Sequence, residues 1–403
     1  MSKIMVLPGG KWQVPLVKKI KEMGHIALVV SPELNPPCKA LCDVFLQSDI
    51  FDIDYIEKFA KNNNIDAVLS DECDIAMPVI AELGNRLSLF TINRLDAELY
   101  TNKYMMREFC RANGFPTPEY EKCKTVDDAI KFMRKLGCDI IIKPLDSNAS
   151  HGVFLVSDED TLKKRFSESL FFSRYEKSVI VERYIKGTEF TVDGIKTAQN
   201  HYSLAVSEKK HYKHNCNIAN ELYFSHINNE FDYNALKRQN DLFVNKSGLL
   251  YGFTHAEYKY ENGKFYLIEI AARGGGNLIS GCIVQHMSGY DTYKYLIENA
   301  LKINNLSQEF ELNAQYINRV AVLKFFDTPN NGGFVKDIKG EEFLDNLNEI
   351  VDWNFRFKVG DYIEPAVNDS VRIGYYIACS ENRNCLDKII KTVDENVRIL
   401  IDN

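Results

Sequence analysis

The sequence has no closely spaced cysteine pair and no long apolar run. Its ten cysteines are scattered, and the nearest two, Cys38 and Cys42, do not form a CxxC motif. A zinc site or a disulfide framework is therefore not expected. We expect the cysteines to be reduced, mostly buried thiols. No stretch approaches the roughly 18 apolar residues of a membrane span, and residues 4–7 are too short an apolar run for secretion. We expect a cytoplasmic protein without a membrane partner.

An excess of basic residues is also missing. The 49 basic and 56 acidic residues give a net charge of -7, so a broad nucleic-acid-binding surface is not expected. The 45% hydrophobic and 26% charged content is ordinary for a soluble globular protein. A chain of 403 residues is long enough for about two or three domains.

The first part of the chain alternates short apolar runs with helical periodicity. Strands are predicted at residues 4–8, 25–30 and 66–70, and helices at residues 14–23 and 54–64. This alternation predicts a small parallel α/β domain. Gly9 and Gly10 follow the first strand, but GGKWQV is not the GxGxxG fingerprint. A nicotinamide site of the Rossmann dehydrogenase type is therefore rejected.

The succession of predicted helices and strands changes after Tyr100. A helix is predicted to end at Gly114, before Pro116-Thr117-Pro118. The further predictions are a helix at 126–137, two strands around a small-residue loop within 139–156, two strands within 178–195, and a strand-rich region after residue 312 that closes with a helix near 386–401.

Two glutamates, Glu257 and Glu269, lie twelve residues apart across a predicted hairpin with turn chemistry at Glu261-Asn262-Gly263. A two-residue turn would place them on opposite faces, whereas a three-residue connection would keep both on one face, roughly 5–8 Å apart at Cβ. Two carboxylates held close on rigid strands are costly without a cation, and Mg²⁺ prefers such oxygen ligands. The alternative is an edge hairpin with two solvated glutamates.

Two cationic residues also stand in unusual surroundings. Lys143 ends a run of isoleucines, so it must find an anion or leave the core. Arg273 is followed by three glycines, which imply backbone packed against a ligand.

In their order along the chain, these motifs resemble the ATP-grasp superfamily, specifically its carboxylate–amine or carboxylate–thiol ligases. The implied fold is α/β and α+β, in three parts. These are a pre-ATP-grasp, Rossmann-like α/β domain at 1–98, a two-lobed α+β ATP-grasp domain at 99–312 with its lid lobe at about 115–190, and a small β-rich C-terminal domain at 313–403.

The resemblance implies ATP as a substrate and Mg²⁺, or Mn²⁺, as the metal. Lysines would reach the phosphates, the small-residue loop would cover them, the segment 182–185 would face adenine, and Glu189 would take the ribose hydroxyls. The implied nucleotide-binding residues are Lys103, Lys143, Ser147, Ser150, His151, Gly152, Glu182, Arg183, Tyr184, Ile185 and Glu189.

The resemblance also implies the metal ligands and the catalytic residues. Glu257 and Glu269 match the metal-binding carboxylates, and Lys143 and Arg273 match catalytic positions. Arg273 would hold an acyl phosphate or a substrate carboxylate. Ala271 stands where most relatives have a further Asn ligand, so we expect fewer protein ligands and metal binding that depends on nucleotide.

The implied activity is ATP-dependent joining of a carboxylate to an amine through an acyl phosphate, with release of ADP and phosphate. The ending EIAARGGG resembles ligases of the amino-acid type. The alternatives are a purine-type enzyme (phosphoribosylglycinamide synthetase-like or carboxylase-like) and a non-catalytic ATP-binding module. The expected partners are ATP, small-molecule carboxylate and amine substrates and, by analogy alone, a second copy of the chain.

The basic segment 207–217 leaves two interpretations open. A closing loop could bring its cations to ATP phosphates or an acidic substrate, or the segment could be a solvated charge run. Its basic residues are Lys209, Lys210, His211, Lys213 and His214. His255 either assists the site or packs, and His286 is predicted to be structural.

Overall fold

The computed structural model describes residues 1–147, 150–174, 176–213, 215–303, 309–327, 332–365 and 371–402. The strands among these residues form four sheets. His214, one of the predicted basic residues, and Asn148 and Ala149 of the predicted phosphate loop lie outside the described residues.

The N-terminal region is a four-stranded parallel sheet. Its strands have the order β3-β2-β1-β4 and are β1 (Lys3–Val6), β2 (Ile26–Ser31), β3 (Val44–Gln47) and β4 (Ala67–Leu69). The helices of this region are α1 (Val14–Glu22), α2 (Ile53–Asn63) and α3 (Ala76–Leu87). The predicted strands and helices are confirmed, and the short β3 was missing from the prediction.

Two helices lead out of this region, α4 (Arg94–Leu99) and α5 (Lys103–Asn113). The side chain of Asn102 caps α5 by accepting hydrogen bonds from the main-chain N–H groups of Tyr104 and Met105. The helix ends at Gly114, which adopts φ 74°, as its sequence predicts.

A second, antiparallel sheet forms a small separate layer, which we call the lid sheet. Its order is β5-β8-β6-β7, with β5 (Tyr120–Cys123), β6 (Ile140–Pro144), β7 (Phe154–Val156) and β8 (Val179–Arg183). The amphipathic helices α6 (Val126–Leu136) and α7 (Glu159–Phe171) bury their apolar residues against it in one cluster.

The central sheet has eight antiparallel strands in the order β13-β12-β9-β10-β11-β14-β18-β16. Its first five strands in the chain are β9 (Glu189–Lys196), β10 (His201–Tyr212), β11 (Asn215–Ser225), β12 (Gly252–Glu261) and β13 (Lys264–Ala271), with α8 (Tyr233–Ser247) between β11 and β12. Two helices follow, α9 (Val284–Ser288) and α10 (Thr292–Ala300).

The last region completes the central sheet and adds a small one. Strands β14 (Val320–Phe325), β16 (Ile350–Phe355) and β18 (Gly374–Ser380) extend the central sheet, and β15 (Gly333–Lys339), β17 (Tyr362–Ile363) and β19 (Arg398–Asp402) form a three-stranded sheet. Its helices are α11 (Glu341–Asn346) and α12 (Arg383–Asn396).

The closing helix predicted near 386–401 is partly wrong. The helix ends at Asn396, and residues 398–402 form β19, because alternating Ile399 and Ile401 pack against the small C-terminal core. The domain boundaries stay a prediction, and the central sheet runs across the second of them. Within the described residues, no helix is both long and apolar enough to cross a membrane.

Candidate active site

The two hairpin glutamates lie directly opposite each other. The turn consists of Asn262 and Gly263, with φ of 50° and 81°, and a two-residue turn alone would put the glutamates on opposite faces. A β-bulge corrects this, because Tyr258 pairs with Leu267 while Glu257 pairs with Glu269. A three-residue connection would have placed one extra residue in the turn of the hairpin. That extra residue lies in the strand instead.

The lid sheet, the start of α5 and the central sheet enclose one cavity around these glutamates. The predicted site residues that line it are Lys103, Lys143, Ser147, Ser150, Glu182, Arg183, Tyr184, Ile185, Glu189, Glu257 and Glu269. His151 and Gly152 follow in the same loop, and Arg273 lines an adjoining cavity of about 300 Å³ that shares Glu257 and Glu269. Residues separated by up to 166 positions are thus brought together.

Lys103 connects three parts of the cavity. It begins α5, is only 3% exposed, and donates from Nζ to the carbonyl oxygen of Ser147 at 2.7 Å and to Glu269 Oε1 at 3.0 Å. Ser147 in turn donates from Oγ to the carbonyl oxygen of His151 at 2.9 Å. The lysine therefore fixes the loop and the hairpin relative to one another.

Lys143 finds its anion inside the protein. Its Nζ donates to Glu182 Oε2 at 2.8 Å, and the fully buried Arg107 places Nε 2.7 Å from Glu182 Oε1. Burial raises the pKa of Glu182, but the charges of Arg107 and Lys143 outweigh it and lower that pKa to about 2. Burial lowers the pKa of Lys143, and Glu182 only partly opposes this.

Sequence reasoning missed Arg107. Arg107 Nη2 also donates to the carbonyl oxygen of Ile268, the bulge residue, at 2.9 Å. In the sequence it is one of several charged residues in an amphipathic helix, and its spacing of four from Lys103 on one helical face was the available signal.

The segment predicted to face adenine forms the end of the lid sheet. The side chain of Arg183 pairs with Glu119 at 3.0 Å and with Glu261 at 2.8 Å, so it ties the lid sheet to the hairpin. The main-chain N–H of Tyr184 donates to the carbonyl oxygen of Asp139 at 3.0 Å, so it is not available to a purine. The carboxylate of Glu182, from the same segment, accepts a hydrogen bond from Lys143.

In its described residues, the basic segment 207–217 is not a loop. It forms the end of β10, a turn at Lys213 and the start of β11. Lys209 Nζ donates to Glu189 Oε1 at 2.8 Å and to Glu257 Oε1 at 2.7 Å, while Lys210 pairs with Glu221 on the other face at 2.6 Å. His211 Nε2 lies 3.3 Å from Glu189 Oε2.

His255 supports Glu257. Its Nδ1 lies 2.8 Å from Asp193 Oδ1, and its Nε2 lies 3.8 Å from Glu257 Oε1. Burial lowers the pKa of His255, but the Asp193 carboxylate outweighs it and raises that pKa to about 9. Burial raises the pKa of Glu257, but the charges of Lys209 and His255 outweigh this and hold that pKa well below its ordinary value. His286 instead contacts the carbonyl oxygen of Ser380 at 3.1 Å.

Arg273 is held by an acid that the sequence analysis did not select. Its Nε and Nη2 donate to the two carboxylate oxygens of Asp74 at 2.8 and 2.9 Å, a bidentate pair. Asp74 belongs to the acidic run SDECD after β4, at the carboxyl end of a parallel strand, and this placement was the available signal.

Gly274 and Gly275, the first two glycines after Arg273, pack against protein groups, whereas nothing lies within 4 Å of a Cβ added to Gly276. The main-chain N–H of Gly274 donates to Asp71 Oδ1 at 2.9 Å, and a Cβ added there would lie 2.4 Å from Ser280. The prediction that these glycines make room for a ligand is therefore wrong for Gly274, because Asp71 and Ser280 fill the space.

The carboxylates suit a metal ion that takes some of its ligands from the protein and the rest from a substrate. No group of three or more His, Cys, Asp or Glu side chains suited to a metal occurs in the part of the chain that the structure describes. Glu257 and Glu269 supply two oxygen donor groups, and Ala271 adds none. Mg²⁺ commonly binds one or two carboxylates and takes its remaining ligands from phosphates and water.

Comparisons with known proteins agree with this geometry. Residues 136–281 match the family model of the ATP-grasp domain, and residues 325–402 match that of the L-amino acid ligase C-terminal domain 2. Dapdiamide A synthase of Enterobacter agglomerans is 22% identical over 298 residues, which cover 72% of this chain and 70% of that protein. A phosphoribosylamine–glycine ligase of Lactococcus lactis is 26% identical over 193 residues, and the match covers 47% of this chain and 46% of the relative.

Solved structures share the fold over the whole chain. The L-amino acid ligase from Bacillus licheniformis superimposes with a TM-score of 0.84 at 20% identity and covers 100% of this chain and 99% of its own. Phosphoribosylglycinamide synthetase from Anaerococcus prevotii superimposes with a TM-score of 0.74 at 20% identity and covers 100% of both chains. The predicted fold class is confirmed. Residues 136–281 are therefore similar to the ATP-grasp domain and residues 325–402 to the C-terminal domain of the L-amino acid ligases, and the relatives and structural neighbours named above are ATP-grasp ligases.

Proposed function

We propose that the protein joins a small-molecule carboxylate to an amine through an acyl phosphate and releases ADP and phosphate. The observation that carries this proposal is that Lys103 and Lys143 line the same cavity as the opposed pair Glu257 and Glu269. Cations and carboxylates so arranged suit a nucleotide triphosphate with its metal.

In this proposal ATP lies between the lid sheet and the central sheet. Lys103 and Lys143 would neutralise its phosphates, and the loop that contains Ser147, Ser150, His151 and Gly152 would cover them. At the other end of the cavity, Ile185 would line the adenine site, and Glu189 would accept hydrogen bonds from the ribose hydroxyls.

Glu257 and Glu269 would hold Mg²⁺, or Mn²⁺. The metal would supply charge neutralisation and orientation of the transferred phosphoryl group. With ATP so placed, an oxygen of the substrate carboxylate attacks the γ-phosphorus in line, and ADP leaves. Phosphoryl transfer depends mostly on positioning and charge stabilisation, so no covalent nucleophile from the protein is required.

The second half of the reaction is assigned to the adjoining cavity. Arg273 would hold the acyl phosphate there, while the nitrogen of the amine attacks the acyl carbon, loses a proton and displaces phosphate. The wall of this cavity combines acidic groups, including Glu72, with apolar side chains, including Leu323 and Phe325. Acidic groups can pair with the ammonium group of an amino acid and apolar side chains can pack against its side chain, so we propose amino acids as the substrate class.

A purine-type ligase is the second candidate. Phosphoribosylamine–glycine ligases are among the relatives, with identities such as 26% over 193 residues. A non-catalytic ATP-binding module is a third, because Ala271 removes a metal ligand.

A phosphate-release assay with Mg-ATP distinguishes these candidates. Amino acids, hydroxy acids and sugar phosphates are offered singly and in pairs, and ADP and phosphate are quantified. We expect release in equal amounts that requires both a carboxylate and an amine. Release with glycine and phosphoribosylamine alone would favour the purine-type enzyme, and ATP binding without turnover in any pair would favour the module.

The metal carboxylates are tested in the same assay. Glu269→Ala is expected to abolish turnover and weaken binding of Mg-ATP, because one of two protein ligands is lost. Glu341→Ala, on the exposed face of α11, is the matched control and should keep both. Wild-type turnover and ATP affinity in Glu269→Ala would contradict the proposed function.

A further inference from the structure

One internal cation joins two carboxylates of the cavity. Lys209 lies on β10 beside Glu189 of β9, and Glu257 follows on β12, the next strand of the sheet. The Lys209 side chain reaches across β9, so that Nζ lies 2.8 Å from Glu189 Oε1 and 2.7 Å from Glu257 Oε1. Its side chain is only 9% exposed, so this ammonium group has little contact with water.

The other metal carboxylate has a cation of its own. Lys103 Nζ lies 3.0 Å from Glu269 Oε1, and its side chain is 4% exposed. Both glutamates that would hold the metal therefore already have an ammonium partner inside the protein. A buried charge without a partner is costly, so these lysines stabilise the carboxylates when no other cation is bound.

The geometry points to Lys209 as an internal counter-ion of the metal site, which makes metal binding by Glu257 depend on nucleotide. The inference rests on the proposed function and deepens it, because it concerns how the same site is loaded.

Charge supplies the physical reason. The carboxylates of Glu189, Glu257 and Glu269 already have basic partners within 3.8 Å, and a divalent cation alone would add further positive charge among them. These partners are the ammonium groups of Lys103, Lys209 and Lys259 and the imidazole rings of His211 and His255. The divalent cation would also bind so close to the Lys209 ammonium group that the two positive charges repel each other. Nucleotide phosphates bring negative charge that can pair with the lysine, and ribose hydroxyls can take over Glu189. Glu257 is then free to bind the metal.

The neighbouring residue provides a matched control. Lys210 follows in the same strand, but successive side chains point to opposite faces, and its Nζ pairs with Glu221 at 2.6 Å on the other face. Lys209→Met and Lys210→Met therefore remove the same charge from the same strand, one beside the metal carboxylates and one away from them.

The test is Mn²⁺ binding measured by electron paramagnetic resonance on the nucleotide-free protein. We expect weak binding by the wild type and by Lys210→Met, and binding about tenfold tighter or more by Lys209→Met, within the usual range of coupling between sites. Lys209→Arg keeps the charge and should stay close to wild type. Equal nucleotide-free affinity in folded Lys209→Met and wild type, or an equal gain in Lys210→Met, would overturn the inference.

Folding and the proposed function are controlled separately. Circular dichroism reports whether Lys209→Met folds. If it does not, the double variant Lys209→Met with Glu189→Gln, which has one carboxylate fewer, is expected to show the same gain in Mn²⁺ affinity. Binding of Mn-ATP by the wild type is measured in parallel. If the wild type binds Mn-ATP and Lys209→Met shows no gain, only the counter-ion role fails. If the wild type does not bind Mn-ATP, the proposed function fails with it.

Discussion

Buried Arg107 shows how one residue can organise a site without lining it. Its guanidinium shares Glu182 with Lys143 and also holds the main chain of the bulge at Ile268. Lys143, the lid sheet and the hairpin that carries Glu257 and Glu269 therefore share one ionic centre. The sequence indicated that Lys143 needs an anion, but the anion is Glu182, 39 positions away, and Arg107, which shares it, lies 75 positions from Glu182.

Arg107→Met is expected to lower the free energy of unfolding by about 3–5 kcal/mol, because it leaves a buried carboxylate with one cation fewer. Urea denaturation monitored by circular dichroism measures the change. Arg111→Met, one turn further along the same helix and 66% exposed as a side chain, is the control and should cost less than about 1 kcal/mol. Equal losses in the two variants would contradict the ionic role.

His226 gives the protein a defined response to acid. Its Nε2 lies 2.9 Å from the carbonyl oxygen of Met287. Burial, with a smaller contribution from the charge of Lys237, lowers the pKa of His226 to about 4. The unfolded chain, with an ordinary histidine pKa near 6.5, therefore binds more protons between these two values, so stability rises with pH across that window.

We expect the free energy of unfolding to fall by about 2–3 kcal/mol on account of His226 as the pH drops from 6.5 to 4. In His226→Gln this part of the pH dependence should be absent. Urea denaturation at half-unit intervals from pH 4 to 8 measures both proteins, and the range from pH 7 to 8 serves as the reference. Parallel profiles of wild type and variant below pH 6.5 would show that His226 is not responsible.

At the scale of elements, the hairpin and the phosphate loop depend on single backbone features. The bulge turns Glu269 to the face of Glu257, and the loop after β6 is closed by Gly152 at φ 74°. A Cβ on Gly152 would lie 2.8 Å from Pro144 and 2.9 Å from Phe172. The loop therefore packs so closely on β6 and the end of α7 that only glycine fits.

Gly152→Ala should lower ATP affinity about tenfold or more and destabilise the protein, since the new methyl group displaces the loop that would cover the phosphates. Gly137→Ala is a matched control, because Gly137 also has a positive φ, of 63°, but nothing lies within 4 Å of an added Cβ. That variant should lose only the roughly 1–2 kcal/mol of a left-handed non-glycine residue and keep its ATP affinity. Calorimetric ATP titrations compare the two variants, and equal affinities would contradict a role for loop packing.

At the scale of the whole molecule, the N-terminal sheet completes the site. Asp74 follows β4 and holds the guanidinium of Arg273 from 199 positions away, while Asp71 from the same loop accepts from Gly274, Ser280 and Tyr293. The N-terminal region therefore fixes the segment that follows the hairpin, and with it the arginine proposed to hold the acyl phosphate.

Asp74→Asn is expected to lower kcat by about tenfold or more while leaving the affinity for ATP unchanged, because Arg273 loses its bidentate partner but the nucleotide cavity stays intact. Steady-state kinetics and ATP calorimetry separate the two effects. Glu82→Gln, which removes a surface pair with Arg86 in α3, is the control. A loss of ATP affinity equal to the loss of kcat would instead mean that the variant disrupts the whole site.

The sequence by itself determined the order of elements, the fold family and most of the residues that line the cavity. Periodicity, helix caps and turn residues act between near neighbours, so the end of α5 at Gly114 and the hairpin around Asn262 could be predicted. The sequence also selected Glu257 and Glu269. Only the tertiary structure decided which charges meet: Lys209 with Glu257, Arg107 with Glu182, and Asp74 with Arg273. Electrostatic pairing acts through space, and a single bulge or strand alternation sets which face a charge occupies.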